Sequence, residues 1–121
     1  MKLSDIQWEF LRDVAVLIQY AERKKYKLTG GELRRSRAQQ QIHVEAGRSK
    51  TLDSDHLRAL AIDLNIFFDV DSDGDMDYTG AVPNAVEVCR DLGEFWKSLN
   101  ENNYWGGDWG WDTPHFGRKV T

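Results

Sequence analysis

The sequence predicts one α+β domain in which a small antiparallel sheet packs against about three helices. Three segments place apolar residues three and four positions apart, whereas residues 60–68 alternate large apolar residues with others. The carboxyl-terminal tail is rich in glycine and aromatic residues, which favours loops and short strands. With 121 residues, 40% of them hydrophobic, the chain can bury one modest core. We therefore expect residues 1–121 to form a single domain, with an N-terminal helix in 1–28 and a core unit in 29–117.

The first two helices are predicted from their start signals. Ser4 and Gln7 have the spacing of a capping box, in which each side chain bonds a backbone N–H of the other residue. The apolar residues that follow share one helical face, flanked by Leu11 and Ile18: Ile6, Phe10, Val14, Leu17 and Ala21. The glycine pair at 30–31 ends this pattern. Ser36 and Gln39 repeat the capping-box spacing, which predicts a second, shorter helix.

A strand is predicted after Leu57, where the spacing changes from helical to alternating. The residues on one face are large and apolar: Leu60, Ile62, Leu64, Ile66 and Phe68. Asp63 lies on the opposite face with Ala59 and Ala61, whose small side chains leave space beside the carboxylate.

The third helix is predicted to begin at Pro83, because proline is favoured at the first helical position. Its buried side is read from the helical spacing of the apolar residues: Ala85, Val88, Cys89, Leu92, Phe95, Trp96 and Leu99. Residues 102–117, NNYWGGDWGWDTPHFG, should then wind back as loops and short strands.

Composition argues against several classes of partner. The formal charge is −4, and the longest basic cluster, Arg34, Arg35 and Arg37, is too short for a nucleic-acid surface. Cys89 is the single cysteine, so an intramolecular disulfide is excluded and folding in a reducing cytosol is expected. Charged residues interrupt the apolar residues of the N-terminal segment, which argues against a signal peptide and against stable membrane insertion. We expect a monomer that is synthesised in the cytoplasm.

Two histidines stand near carboxylates along the chain. His56 and Asp63 form an H-x6-D pair, and Asp112 and His115 form a D-x-x-H pair. Two imidazoles and one carboxylate can hold zinc in the open tetrahedral arrangement of catalytic sites, while a further carboxylate accepts a proton from water. From spacing alone, His56 could equally be a structural histidine, and Asp63 could cap a loop or pair with an arginine. The spacing therefore leaves both interpretations open.

Three separated segments resemble one family of zinc peptidases: GRSKTLDSDHLRALAIDLNIF, LGEFWKSL and WGGDWGWDTPHF. The family includes L-alanyl-D-glutamate endopeptidases of phage endolysins, D-Ala-D-Ala carboxypeptidases and the vancomycin-resistance dipeptidases. The resemblance runs from about Gly30 to Phe116, in the family's order. The family's S-x-H-x6-D motif matches Ser54, His56 and Asp63.

The resemblance implies a role for each matched residue. The zinc ligands would be His56, Asp63 and His115, with one zinc per chain. Asp112, in the family's terminal D/E-x-x-H motif, would be the catalytic base.

Three kinds of substrate contact are predicted, of which the resemblance implies the first. An upstream arginine, Arg35 or else Arg34, would bind substrate and stabilise the transition state. Ser54 would either hydrogen-bond the substrate or hold its loop. Trp109, together with Trp105 and Trp111, could stack on the substrate or close the core beside the metal.

The expected function is hydrolysis of the peptide stems of peptidoglycan. The resemblance favours an L-alanyl-D-glutamate endopeptidase of a phage or prophage endolysin, which would reach the cell wall after its release from the host cytoplasm. The alternatives are a D-Ala-D-Ala carboxypeptidase, or a wall-binding module that has lost activity. The chain departs from the family at Ala59, where glycine is usual, and at Gly117, where glutamate or glutamine is common.

A second candidate site is the acidic segment DVDSDGDMD, residues 69–77. Its oxygen donors match the start of an EF-hand calcium loop: Asp69, Asp71, Asp73 and Asp75, with Gly74 where the sharp turn is needed. The twelfth position is Gly80 in place of the bidentate glutamate. An acidic hairpin turn is therefore the favoured interpretation, with weak calcium binding as the alternative.

Overall fold

The computed structural model describes residues 1–33, 37–46 and 55–120. The helices and strands in chain order are α1 Leu3–Arg23, β1 Lys27–Gly30, α2 Arg37–Glu45, β2 Ala61–Phe68, β3 Asp77–Tyr78, α3 Ala85–Leu99, β4 Asn103–Trp105 and β5 His115–Arg118. Short 3₁₀ helices occupy Asp55–Arg58, Thr79–Ala81 and Gly106–Trp109. This confirms the predicted α+β class.

The five strands form one antiparallel sheet in the order β1-β2-β5-β4, with β3 paired to β2. In the register of β2 with β5, Asp63 lies opposite His115. In the register of β4 with β5, Tyr104 lies opposite Gly117. Side chains alternate between the two faces of a strand. All four of these residues therefore share one face of the sheet.

Helices α1 and α3 contribute to a core that covers the other face. The predicted stripe of α1 is buried, and Leu64 and Ile66 of β2 and Phe116 of β5 lie in the same core cluster. Phe10 of α1 meets Trp96 of α3 edge to face, with ring centroids 5.5 Å apart. The helix-covered face is thus apolar, and the Asp63 face is left for polar chemistry.

A buried arginine joins α1 to the sheet. Arg118 donates to the carboxylates of Glu9, at 3.2 Å, and Asp13, and to the side-chain oxygen of Asn103 at 2.9 Å. A buried guanidinium is stable only when it is paired in this way. The network fixes α1 against β5, the strand that carries His115.

Among the described helices, none is both long enough and apolar enough to cross a bilayer.

The predicted starts of two helices and of one strand were wrong. Helix α1 begins at Leu3, before Ser4, because the carboxylate of Asp5 accepts the Lys2 backbone N–H at 3.2 Å. Helix α3 begins at Ala85, so Pro83 lies in the preceding turn and Asn84 occupies the N-cap position without a side-chain capping bond.

Strand β2 begins at Ala61, later than predicted. A 3₁₀ turn at Asp55–Arg58 precedes the strand and uses residues that alternation alone had assigned to it. His56 therefore approaches the sheet from this turn, outside the strand.

The turn that carries His56 ends in a Schellman motif. The N–H of Leu60 bonds the Asp55 carbonyl at 3.0 Å, and the N–H of Ala59 bonds the His56 carbonyl at 3.3 Å. Ala59 adopts φ = 55°, the left-handed conformation that glycine adopts without strain. This requirement explains why glycine is usual there in the resembling family.

We expect Ala59→Gly to stabilise the protein by about 0.5–1 kcal/mol. The left-handed conformation costs an alanine about 1–2 kcal/mol, and the greater freedom of glycine in the unfolded chain offsets part of the gain. Urea unfolding followed by circular dichroism measures the change. Ala61→Gly, in β2, is the matched control and should destabilise. A lower unfolding midpoint for Ala59→Gly would contradict the proposed strain.

Candidate active site

Two histidines and one aspartate converge on the open face of the sheet. The carboxylate oxygen Oδ1 of Asp63 lies 3.3 Å from His56 Nε2 and 3.5 Å from His115 Nδ1. One ligand atom from each residue lies within 4.8 Å of the others. Both histidines are buried and Asp63 is half-buried. The fold thus brings the H-x6-D pair together with the histidine of the D-x-x-H pair.

Two backbone hydrogen bonds join Asp63 to the segment that follows β1. Its N–H bonds the carbonyl of Glu32 at 2.8 Å, and its carbonyl accepts the N–H of Gly31 at 2.7 Å. A Cβ atom at Gly31 would lie only 2.7 Å from the Asp63 carbonyl oxygen, so this approach requires glycine. The segment that follows β1 therefore positions the central carboxylate.

The ring of His56 is oriented by the main chain. Its Nδ1 lies 2.9 Å from the carbonyl oxygen of Leu33. A carbonyl only accepts hydrogen bonds, so Nδ1 carries the proton and Nε2 keeps its lone pair. That lone pair is on the nitrogen nearest Asp63, as a metal ligand requires.

The charge at Asp63 is set by two opposing effects. Burial raises the pKa of the Asp63 carboxyl, but the neighbouring imidazoles of His115 and His56 lower it by more than burial raises it, so this pKa lies well below its usual range. Asp63 is therefore an ionised carboxylate at neutral pH. It supplies the negative charge that a divalent cation needs in a partly buried site.

The spacing of these atoms suits zinc. Ligand bonds of about 2.0–2.1 Å in a tetrahedron place neighbouring ligand atoms roughly 3.3–3.4 Å apart. The separations of 3.3 and 3.5 Å at Asp63 agree with that distance. Three ligands also leave the fourth position open, which is the arrangement of catalytic zinc sites.

Asp112 lies at the edge of this group, in the loop before β5. Its carbonyl accepts the N–H of His115 at 3.2 Å. A Cβ atom at Gly106 would lie 2.9 Å from the Asp112 Cβ and 2.8 Å from the His115 Cβ, so glycine permits this tight turn. The pKa of Tyr104 is raised by burial first and by Asp55 next, and the charge of Asp112 adds to both. Asp112 is therefore held close to the ligand His115, in the turn that leads into β5.

Tryptophans differ in their relation to the site. Trp105 is buried in the core, where its ring N–H donates to the Thr113 carbonyl at 2.8 Å. Trp109 is 53% exposed, and its ring centroid lies 5.2 Å from that of His115. Trp111 is also exposed, and its ring centroid lies 6.4 Å from that of Trp109. Trp109 is thus placed for the predicted substrate contact, and Trp105 is not.

Three of the predicted functional residues lie outside the described residues. These are Ser54 and the two alternative arginines, Arg34 and Arg35. Their roles in substrate binding and transition-state stabilisation stay predictions.

The acidic segment forms a closed turn. The carboxylate of Asp69 accepts the N–H groups of Asp73, at 3.0 Å, and Gly74, at 2.9 Å, and the bond from Gly74 is the main cause of its lowered pKa. Four carboxylates lie close together, and Asp77, not Asp75, completes the group: Asp69, Asp71, Asp73 and Asp77. These bonds suffice to explain the turn. Calcium binding stays a prediction.

Sequence reasoning missed Tyr104. Its hydroxyl lies 3.2 Å from His115 Nε2 and donates to Asp55 Oδ2 at 2.5 Å. The departure from the family at Gly117 was a usable signal, because a Cβ atom there would overlap the Tyr104 ring.

A family model described as D-alanyl-D-alanine carboxypeptidase matches residues 47–118, which include all three proposed ligands and Asp112. The chain belongs to this family. It is therefore a peptidase, a hydrolase that acts on peptidoglycan, as the resemblance implied. Among curated proteins, none is significantly similar to the chain.

The fold agrees with that membership. The crystal structure of the Serratia marcescens L-Ala D-Glu endopeptidase ChiX matches with a TM-score of 0.63 and 24% sequence identity. The match covers 91% of this chain and 77% of that one. This likeness shows that the two chains share a fold across nearly the whole domain.

Proposed function

We propose that this chain is a zinc peptidase that cuts the peptide stems of bacterial peptidoglycan as an L-alanyl-D-glutamate endopeptidase of a phage or prophage endolysin. The observation that carries the proposal is the convergence of His56, Asp63 and His115 at the separations of zinc ligands. Membership in a peptidase family supports it, because the matched segment holds these residues.

The proposed cofactor is one zinc ion per chain, held by the two imidazoles and the carboxylate. When bound, zinc acidifies water so that hydroxide is available at neutral pH, and it polarises a carbonyl as a Lewis acid. The protein supplies the rest of the chemistry. The two buried imidazoles and the half-buried carboxylate would hold the ion, and the exposed Trp109 lies beside His115.

Proton transfer is assigned to Asp112. As a carboxylate at the edge of the site it would accept a proton from water and later deliver that proton to the leaving amine. Arg35 would stabilise the oxyanion of the tetrahedral intermediate. Trp109 would pack against the stem peptide, and Ser54 would hydrogen-bond it or hold the loop before His56. These roles divide the reaction between proton transfer, charge stabilisation and substrate placement.

The choice of bond is the finer part of the proposal. The structural match to an L-Ala D-Glu endopeptidase supports internal cleavage of the stem. The description of the family model supports the alternative, removal of a terminal D-alanine. Stem pentapeptides contain both bonds, so one substrate distinguishes the two activities.

Digestion of purified peptidoglycan tests the function directly. We expect zinc-loaded protein to release peptides whose new amino terminus is D-glutamate, identified by mass spectrometry of the fragments. Loss of a single terminal alanine would indicate the carboxypeptidase. Binding to the wall without new termini would indicate an inactive wall-binding module. Chelator-treated protein and Asp112→Asn are the controls.

The proposal includes synthesis in the host cytoplasm, action on the wall after release, and a monomeric state. Expression in a bacterium should be harmless until a co-expressed pore-forming protein opens the inner membrane, and lysis should then follow. Lysis without the pore, or a dimer by sedimentation, would contradict this part. Neither result would affect the assignment of the site.

A further inference from the structure

The two ring nitrogens of His115 have different neighbours. Nδ1 lies 3.5 Å from Asp63 Oδ1, toward the ligand group, and Nε2 lies 3.2 Å from the hydroxyl of Tyr104. A neutral imidazole carries one proton, and the nitrogen that lacks it is the metal ligand. The partner of Nε2 therefore determines whether Nδ1 can bind metal.

Asp55 determines the direction of the hydrogen bond between Tyr104 and His115. The Tyr104 hydroxyl lies 2.5 Å from Asp55 Oδ2, and an ionised carboxylate only accepts hydrogen bonds. The hydroxyl must donate its proton to Asp55, so its oxygen accepts from His115. Arg58 donates to the other carboxylate oxygen of Asp55 at 3.3 Å. Nε2 of His115 therefore holds the proton and Nδ1 keeps the lone pair.

Because Gly117 has no side chain, the Tyr104 ring can lie over it. Tyr104 lies opposite Gly117 across the β4–β5 pair, and a Cβ atom at 117 would overlap the ring and the hydroxyl. His115 is the diagonal neighbour on the same face, within reach of an aromatic side chain. The centroids of the Tyr104 and His115 rings are 5.5 Å apart. Gly117, one of the two positions at which this chain departs from the family, thus leaves room for the tyrosine.

We propose that Tyr104, oriented by Asp55, is a positioning residue that fixes the proton of His115 on Nε2 and so directs Nδ1 to the metal. This inference rests on the proposed zinc site and adds to it a pair of residues that the family motifs do not contain. His56 is oriented instead by the backbone carbonyl of Leu33. His115 is therefore the histidine ligand whose tautomer a side-chain substitution can change.

Tyr104→Phe tests the proposal, because it keeps the ring over Gly117 and removes only the hydroxyl. Nitrogen-15 NMR of histidine-labelled, metal-free protein, at a pH where imidazoles are neutral, reports the tautomer without any activity. We expect the Nε2–H form for His115 in the wild-type protein and a mixture of both forms in the variant. Competition with a chromophoric chelator should show zinc binding 10–100-fold weaker, the usual cost of losing an outer-shell partner.

Three further variants sharpen the test. Asp55→Asn should weaken zinc binding in the same way, because an amide can donate to the hydroxyl and reverse the bond. The double variant Tyr104→Phe/Asp55→Asn should be no weaker than the worse single variant, since both act through one hydrogen bond. Tyr78→Phe, at an exposed tyrosine, is the matched control and should change neither tautomer nor affinity.

The outcomes separate this inference from the proposed function. A wild-type tautomer and wild-type zinc affinity in Tyr104→Phe would overturn the positioning role. If that variant fails to fold, Asp55→Asn must show the tautomer change, or the role is equally overturned. A tautomer change and weaker zinc binding, with no peptidoglycan cleavage by the wild-type protein, would uphold the role and overturn the proposed function.

Discussion

Replacing His56 or His115 by alanine should abolish both zinc binding and hydrolysis. Either change leaves two ligands, and a buried site with two ligands cannot hold the ion in tetrahedral coordination. The loss of zinc affinity should exceed the roughly 10–100-fold effect of losing an outer-shell partner. Metal analysis of the purified proteins and the peptidoglycan digestion measure the two effects.

Zinc should also stabilise the wild-type fold, because its ligands come from the 3₁₀ turn, from β2 and from β5. Free zinc at 100 times its dissociation constant adds about 2.7 kcal/mol to the free energy of unfolding. A chelator should therefore lower the melting temperature of the wild-type protein and leave that of His115→Ala unchanged. His43→Ala, at the remaining histidine, is the control for both measurements. Wild-type protein that neither contains nor takes up zinc would exclude the metal mechanism.

The sequence predicted the parts of the fold that follow a repeating pattern. The five central positions of the α1 stripe, from Ile6 to Ala21, are buried, because one side of a helix returns every three to four residues. The flanking residues Leu11 and Ile18 were predicted to share this face but are exposed. Alternation in β2 likewise separated the core residue Leu64 from Asp63, which faces the site. Helical spacing and strand alternation therefore predict which face of an element is buried.

Short elements without a pattern were missed. Strand β1, Lys27–Gly30, has one partly buried residue among four, so it shows no alternation. Strand β3 has two residues, Asp77 and Tyr78. These strands form because β2 offers hydrogen-bonding partners, and pairing across the sheet is a long-range property that spacing does not record.

The candidate site was predictable only in its motif residues. His56, Asp63, Asp112 and His115 were found because they stand at characteristic spacings within matched segments. Tyr104 bonds Asp55, a partner 49 positions away, and no local pattern connects the two. The strand register that places Tyr104 opposite Gly117 had to be known before its role could be inferred.

Asp112→Asn should keep the fold and the zinc but lose most turnover. The substitution preserves the size of the side chain and the backbone carbonyl that accepts the His115 N–H, so the position of that ligand should not change. An amide cannot accept the proton that a carboxylate takes from water. Loss of a general base typically costs 10²–10⁴-fold in rate. We expect a fall in kcat of this order with one zinc per chain retained.

Asp63→Asn is the matched comparison, since it makes the same chemical change at the proposed ligand. It removes the negative charge that lies within 3.5 Å of both histidine nitrogens, so zinc affinity should fall together with activity. Asp108→Asn, at an exposed aspartate that accepts from Lys97, should change neither property. Zinc titration and kcat measured on all three variants therefore separate the proton acceptor from the metal ligand. Equal zinc loss in Asp112→Asn and Asp63→Asn would mean that Asp112 also holds the metal, and the assigned roles would then be wrong.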